Sequence, residues 1–563
     1  MAKLDYSDRE SPGPYEGANE KALATDFTTP VDDGSVAPHG EETHRSLKPR
    51  QLSMIAIGGA IGAGFLIGSG TSLARSGPAS MLIAYICMGF CCFSVMIALG
   101  EMSTKFPTKK GFSGHATRCV DPAFGFATAL IYLCKYLIIS PNQLVAGALM
   151  IRYWNHDING AVWVTILGAL VFGINLLGVK WFGEVEFWLS LFKIIVLTGL
   201  IILGLIIDLG GVPGQDRIGF RYWKKAAFKS YKLPGKKGQF LGFVNALVLA
   251  LLAFMGSELI GMTVGEAKNP RKTIPSAVKK TFFRIAFFFV FGTFVVGLVA
   301  DSTSPLLAAA AAKGSAGGAS ASPWVVAIKL ANIKVLPGLI NGCLLVYTIS
   351  AAVSDQYISS RTLYGMAMDG HAPAIFKYCT RRGVPLTAFA FTGSFMGLAY
   401  LVAADSALSI FNYFVNSVTI CGGLSWISIL ASHIGFMRGH KAQNIPRSSL
   451  PFAFRGQPYM SYIALIMVSV LMLFKGFDSF MPLNKFSTAG YKTFITHYVG
   501  IPVYIFGYFG YKIAYRTKIV DPREMDLVAG GREFDDVVED DEEELAYKAL
   551  PFKGKVAWQI KNW

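Results

Sequence analysis

The stretch AIGGAIGAGFLIGSG, residues 56–70, sets the fold of this chain, because it places six glycines inside one apolar run. Glycine costs a helix about 1 kcal/mol relative to alanine, so this density predicts a helix that is interrupted near its middle. In a broken membrane helix, the freed backbone N–H and C=O groups can hold a polar ligand. The alternative is close helix packing, since Gly58 and Gly62 have the spacing of a small-residue packing motif.

A second stretch, LLAFMGSELIGMTVGE at residues 251–266, repeats the pattern five apolar segments later. It carries Gly256 and Gly261 in mid-segment and places one carboxylate, Glu258, well inside an apolar run. Interrupted helices at matching positions of two five-helix halves are typical of transporters with inverted repeats. The two stretches therefore predict an all-α integral membrane protein with a five-plus-five inverted repeat and broken helices 1 and 6.

The composition excludes most soluble classes of protein. Hydrophobic residues make up 53% of the 563 residues and charged residues 16%, against roughly 25% charged in an average soluble protein. A chain this apolar needs lipid as its solvent, which argues against a soluble enzyme, a nucleic-acid binder and a disordered scaffold. The eight cysteines lie in or between apolar runs without metal-ligand spacing, so we expect neither a disulfide framework nor a metal or other cofactor.

Twelve apolar segments are long enough to cross a bilayer, which takes about 20 residues per helix. The third and eighth are long enough to tilt or break, and the eleventh is short. The predicted spans are 51–73, 80–104, 124–152, 161–179, 185–207, 239–263, 282–301, 337–366, 385–404, 408–436, 459–475 and 494–513.

Local charge predicts the orientation. With twelve spans both tails lie on one side, together with four basic connections, at 105–121, 264–284, 367–384 and 437–458. Because cytoplasmic loops carry an excess of lysine and arginine, we expect the tails in the cytoplasm. The basic connection 208–238 disagrees, since this count places it outside.

The domain organisation follows from these spans. Residues 1–47 are polar and are expected to form a disordered cytoplasmic tail, and 48–513 form the transporter domain. Within that domain, 48–209 are the first repeat, 239–437 the second, and 459–513 the two appended helices. The remaining residues, 514–563, form a cytoplasmic tail with an acidic run at 533–544, which is either solvated chain or a segment for trafficking or ubiquitination machinery.

Six separated motifs, in order along 48–515, resemble one family, the fungal amino acid permeases of the amino acid–polyamine–cation superfamily. The motifs are AIGGAIGAGFLIGSG, GPASMLIAY, ALGEMSTKFP, NLLGVKWFGEVEFWLSLFKI, FMGSELIGMTVGEAKNPRKTIPSAVK and SDQYISSRTLYGMAMDG. Four further stretches are most similar to the dicarboxylic amino acid permeases: LIISPNQLVAGALMIRYW, DRIGFRYW, IFNYFVNSV and YKTFITHYVGIPVYIFGYFGYKI. This resemblance implies uptake of glutamate and aspartate with protons at the plasma membrane.

The resemblance also implies which residues bind the substrate. The backbone of both glycine stretches would hold the α-carboxylate and the α-amino group. This agrees with the charges at helix ends, since a half-helix N-terminus attracts a carboxylate and free carbonyls accept from an ammonium. Phe254 would be a gate, unless it merely packs. The implied residues are Gly58, Gly59, Ile61, Gly62, Ala63, Gly64, Phe254, Met255, Gly256 and Ser257.

Gln143 marks a departure from the family pattern. Many relatives with neutral or basic substrates carry a glutamate at this place, and a buried carboxylate there would repel the side chain of an acidic substrate. The uncharged Gln143 therefore suits an anionic substrate. The alternative is that it only forms a hydrogen bond between helices.

Two ionisable residues are candidates for proton coupling. Lys193 lies about eight residues into span five, roughly 12 Å along the helix, and proton-coupled bacterial relatives use a lysine in the equivalent helix. A buried lysine can exchange protons, although its side chain could instead reach the cytoplasmic surface. Glu258 is the second candidate, with Lys193 as its candidate partner.

Two other functions are alternatives to the uptake of acidic amino acids with protons. A neutral or broad-specificity amino acid permease would share every feature above. A transporter-like sensor would bind an amino acid without moving it, but such sensors tend to have longer cytoplasmic extensions. An enzyme is not expected, because the spans contain no set of nucleophile, histidine and acid. The expected partners are L-amino acids, protons and the lipid bilayer, without nucleic acid.

Overall fold

The structure is a computed structural model that describes residues 50–51, 54–55, 62–107, 111–155, 157–213, 215–263, 270–313, 322–331, 333, 335–403, 407–480, 488–527 and 551. All of its regular elements are helices within these ranges. Eight helices there are long and apolar enough to cross a membrane, and two further apolar helices are shorter. The all-α membrane fold is therefore confirmed, whereas the count of twelve spans stays a prediction.

Helices overlap each of the twelve predicted spans, and we number them accordingly. They are α1 Ala63–Ser76, α2 Pro78–Lys105, α3 Pro122–Ile151, α4 Gly160–Leu176, α5 Val179–Asp208, α6 Gly235–Phe254 with Leu259–Thr263, α7 Pro270–Arg284 continued by Ile285–Phe291 and Gly292–Val299, α8 Leu336–Met368, α9 Leu386–Ser394 continued by Phe395–Ala403, α10 Ala407–Ala442, α11 Tyr459–Phe474, and α12 Thr488–Tyr498 with Gly500–Tyr515.

The boundaries differ from the predicted ones in physically simple ways. Helices α3 and α8 run unbroken, α3 even through Pro141. Helix α7 starts twelve residues before its predicted span, because its first turns are basic and fall outside the apolar run, and it contains a π-helical segment at Ile285–Phe291. Four short α-helices in the described connections carry no long apolar run and so were not predicted: Gly111–Cys119, Arg221–Ala226, Pro305–Lys313 and Pro323–Leu330.

The basic connection 208–238 packs on one end of the helix bundle. The N–H of Ala79, at the start of α2, donates to the carbonyl of Ala227 at 3.0 Å. Lys225 pairs with Asp301 just beyond α7 at 2.9 Å, and the Tyr231 hydroxyl donates to Asp478 at 3.0 Å. The connections near 77, 301 and 478 are those that the predicted span order places on the same side as 208–238.

The opposite end of the bundle is held by buried carboxylates. Glu101, near the end of α2, accepts from Arg447 at 2.9 Å and contacts the His433 imidazole at 2.8 Å. Asp121, before α3, pairs with Lys512 and accepts from Thr517 at 2.8 Å. This end therefore gathers two of the four connections that the charge pattern assigns to the cytoplasm, 105–121 and 437–458, together with the first residues after α12.

Candidate functional site

A cavity of about 110 Å³ lies at the interruption of α6, where α1, α3, α8 and α10 also meet. Drug-sized sites measure roughly 300–1,000 Å³, so this volume suits a small ligand. Most of its lining is apolar. The polar and glycine members among the described residues are Gly62, Gly64, Lys135, Tyr136, Asn142, Gln143, Gly256, Ser354 and Asp355.

The interruption of α6 is a four-residue turn. The helix ends at Phe254, Met255 is extended (φ −61°, ψ 144°), and the helix resumes at Leu259. Gly256 has a φ of 97°, in the left-handed region where a side chain is strained, which explains the need for glycine here. Its N–H donates to the Glu258 carboxylate at 3.1 Å, so Glu258 stabilises the turn from within.

Helix α1 faces this turn. Gly62 is extended and Ala63 begins the helix without a side-chain cap, which leaves the first backbone N–H groups available to a ligand. A Cβ built on Gly64 would lie 3.9 Å from the Leu252 carbonyl oxygen, so the two backbones run close together. Gly58, Gly59 and Ile61 lie outside the described residues, as does the side chain of Ala63.

The predicted residues at the α6 turn divide into two groups. Met255 and Gly256 line the cavity. Phe254 instead points into an aromatic cluster, with ring centroids 4.4 Å from Phe289 and 5.9 Å from Tyr85, which fits packing and not a gate. Ser257 is fully buried and accepts from Arg284 at 2.6 Å.

Glu258 forms a buried ion pair that the sequence did not reveal. Its carboxylate binds the Lys135 ammonium of α3 and accepts from the Trp426 indole N–H of α10 at 3.1 Å. Both charged side chains are essentially unexposed, and Lys135 also lies over the Tyr136 ring at 4.7 Å. Three helices thus meet at this carboxylate, and its lysine lines the cavity.

Lys193 has a different partner from the one expected. Its ammonium lies 3.5 Å from Glu186 on the same helix, and Glu186 also accepts from Ser350 of α8 at 2.7 Å. Helix α5 begins at Val179, which puts Lys193 fourteen residues, or roughly 21 Å, along the helix, deeper than the predicted start implied. The expected pairing of Lys193 with Glu258 is therefore wrong in this structure, and Lys193 does not line the cavity.

Asp355 of α8 places a carboxyl group on the cavity lining. It is 7% exposed, and its Oδ2 is buried without a hydrogen-bond partner among the described residues. Gln143 lines the cavity and interacts with the Asp355 carboxylate. The cavity therefore contains a carboxyl group even though position 143 is neutral.

Comparisons with known proteins place these features in a family. The amino acid permease family profile matches residues 51–523. A dicarboxylic amino acid permease of Saccharomyces cerevisiae is 44% identical over 540 residues, covering 94% of this chain and 87% of that protein. A lysine-specific permease of the same yeast is 34% identical over 524 residues, covering 92% and 83%.

The fold has a counterpart among solved structures. A manganese transporter of Eremococcus coleocola superposes with a TM-score of 0.53 at 13% sequence identity, covering 88% of this chain and 97% of that one. This likeness concerns the fold alone. The family profile and the permease relatives point to a transporter and not to an enzyme. The resemblance recognised in the motifs is confirmed: this chain belongs to the amino acid permease family.

Proposed function

We propose that this permease takes up L-amino acids with protons across the plasma membrane, and that it prefers glutamate and aspartate. The observation that supports the acidic preference best is the Lys135 ammonium on the cavity lining. An ammonium has three donors, so Lys135 can keep its bond to Glu258 and still donate to a substrate carboxylate. The 44% identity to a dicarboxylic amino acid permease agrees with this preference.

The substrate backbone would bind at the two helix interruptions. The α-carboxylate would lie at the N-terminus of α1, on the backbone from Gly58 to Gly64, where uncapped N–H groups and the helix dipole favour an anion. The α-ammonium would bind the carbonyls at the end of the first half of α6, near Met255. The substrate side chain would then extend toward Lys135 and Gln143.

Proton coupling follows from the charge of the cargo. An acidic amino acid carries a net charge of −1, and moving it into a negative interior costs about 2.3 kcal/mol per 100 mV. At least one proton must accompany it to remove this cost, and a second would let the membrane potential drive uptake. We propose Lys193 and Glu258 as coupling residues, each inside its own buried ion pair.

The topology completes the proposal. Twelve spans form two inverted five-helix repeats, at 48–209 and 239–437, followed by two appended helices at 459–513. Both tails lie in the cytoplasm, and the basic connection 208–238 lies outside, with the connections that it contacts. There its lysines and arginines would attract anionic substrates in a salt-dependent way.

One observation favours the alternative of a neutral or broad-specificity permease. Asp355 on the lining would repel an acidic side chain whenever it is ionised. Competition by each of the twenty amino acids against radiolabelled glutamate uptake, in a fungal strain without its own permeases, separates the two functions. Strong competition by glutamate and aspartate alone supports the proposal, and equal competition by neutral amino acids overturns the acidic preference.

The binding site is tested in the same assay with Gly62→Leu. The only described atom within 4 Å of a Cβ at this position is a backbone nitrogen at 3.9 Å, so the substitution fits locally, but its side chain enters the cavity. We expect uptake to be abolished while the protein still reaches the plasma membrane. Gly173→Leu is the matched control, because Gly173 is an exposed glycine on α4 with nothing within 4 Å. Normal uptake by a correctly localised Gly62→Leu protein would place the site elsewhere.

A further inference from the structure

The cavity contains one carboxylate that no salt bridge neutralises. The Asp355 side chain is 7% exposed and lines the cavity, and its Oδ2 has no hydrogen-bond partner among the described residues. A buried carboxylate oxygen without a donor is costly to keep ionised. An added proton removes that cost and turns the oxygen into a donor.

The groups around Asp355 leave its charge uncompensated. Helix α3 contributes Lys135, which is committed to Glu258 of α6, and the neutral Gln143. Helix α5 contributes Lys193 and Glu186, which are committed to each other. The Tyr132 and Tyr136 hydroxyls of α3 complete this set and bond to each other at 3.2 Å.

The lining contributed by α1 and α10 adds no charged side chain among the described residues. With the two ion pairs each summing to zero, an ionised Asp355 gives the site a net charge of −1. An acidic amino acid, which is itself a net anion, would then enter a site that repels it. A protonated Asp355 makes the site neutral.

We propose that Asp355 is a proton-binding residue of the transport cycle, which takes up a proton from the outer side before an acidic substrate binds and releases it to the cytoplasm afterwards. This inference rests on the proposed function. The proton passes from external water to a carboxylate oxygen of Asp355, forming its O–H bond, and that bond breaks toward cytoplasmic water once the substrate has left. Substrate and proton are thus linked because the anion binds well only to the neutral form.

The test uses the full-length protein in phosphatidylcholine vesicles, with the membrane potential clamped by potassium and valinomycin. Glutamate–glutamate exchange without a gradient measures binding and the movement of the loaded carrier. Accumulation under an inward proton gradient measures coupling. For Asp355→Asn we expect exchange to persist with a flattened pH profile, and accumulation to fall about tenfold per pH unit of gradient, which is the contribution of one proton.

Asp208→Asn is the matched control. Asp208 is also buried, with an oxygen that lacks a partner among the described residues, but it lies at the far end of α5, outside the cavity lining. Its variant should keep both the exchange and the gradient-driven accumulation of the wild type.

Two results overturn the proposal. Accumulation by Asp355→Asn at the wild-type level would show that its proton is not transported. Loss of exchange and glutamate binding at every pH would make Asp355 a ligand of the substrate ammonium instead. If Asp355→Asn cannot be purified and reconstituted, Asp355→Glu replaces it in the same assay. Coupling should then persist with a shifted pH profile, and an unchanged profile contradicts the proposal. Wild-type protein that takes up no glutamate would refute the proposed function itself, which is a separate outcome.

Discussion

The two buried lysine–glutamate pairs of this permease are built differently. Lys135 and Glu258 stand 123 residues apart in sequence and join α3 to the interruption of α6, with Trp426 of α10 as a third member. Lys193 and Glu186 lie two turns apart on α5, and a serine from α8 supports the carboxylate. One pair connects helices, whereas the other belongs almost entirely to a single helix.

This difference bears on transport. In transporters with inverted repeats, the architecture proposed for this permease, one group of helices moves against another around a central site. A pair between helices holds only while those helices keep their relative positions, so the Lys135–Glu258 pair can respond to substrate and to movement. A pair within one helix moves as a unit, so the contact between Lys193 and Glu186 does not depend on the relative positions of two helices.

The largest effect is expected from Lys135→Met. The variant leaves the Glu258 carboxylate buried without its cation, which costs about 3–5 kcal/mol of stability, and it removes the cation from the cavity. We expect a markedly lower Tm in detergent and no measurable glutamate uptake.

The double variant Lys135→Met with Glu258→Gln serves as the control for Lys135→Met. Removing both charges should restore most of the stability without restoring glutamate uptake. Recovery of glutamate uptake together with stability would mean that Lys135 acts only as a structural partner of Glu258.

A smaller and more selective effect is expected from Lys193→Arg. Arginine keeps the ion pair with Glu186 but does not release a proton in proteins. If Lys193 alternates between charged and neutral forms, the variant should fold with a near wild-type Tm and lose the dependence of uptake on the proton gradient. Lys193→Ala should lose the same dependence and also stability, since it leaves Glu186 unpaired. Full gradient dependence in Lys193→Arg would assign coupling to other groups.

The interruption of α6 could be predicted from sequence because its cause is local. Only glycine readily adopts the backbone conformation at position 256, and its place in mid-span is visible in the residue order. The all-α membrane fold follows as directly from the lengths of the apolar runs. The central stretch of the first span lies outside the described residues, so its interruption remains a prediction.

The charges of the cavity could not be predicted in the same way. Lys135 and Asp355 carry the signal that singled out Lys193, a charge inside a long apolar run, but their importance depends on partners brought together by tertiary structure. Hydropathy does not indicate that Lys135 meets Glu258, or that Asp355 faces Gln143 across two helices. Gln143 is one position of the site, and the Asp355 carboxylate that it contacts is visible only in the tertiary structure. That the uncharged Gln143 favours an anionic substrate stays a prediction.

The smallest of the expected effects is that of Gln143→Glu. The new carboxylate would stand beside Asp355. Two carboxylates that share a site repel each other, which favours the state in which one of them is protonated. One shared proton would then leave a net anion near the substrate side chain, even when the wild-type site is neutral. We expect the apparent affinity for glutamate and aspartate to fall roughly tenfold, or about 1.4 kcal/mol, with uptake shifted toward more acidic external pH. Neutral amino acids that the protein accepts should lose much less.

Gln143→Met, which is neutral and of similar size, is the control, and it should affect all substrates alike through the lost amide. An equal loss for acidic and neutral substrates in Gln143→Glu would make position 143 structural, and the acidic preference would then rest on Lys135 and on the similarity to dicarboxylic permeases.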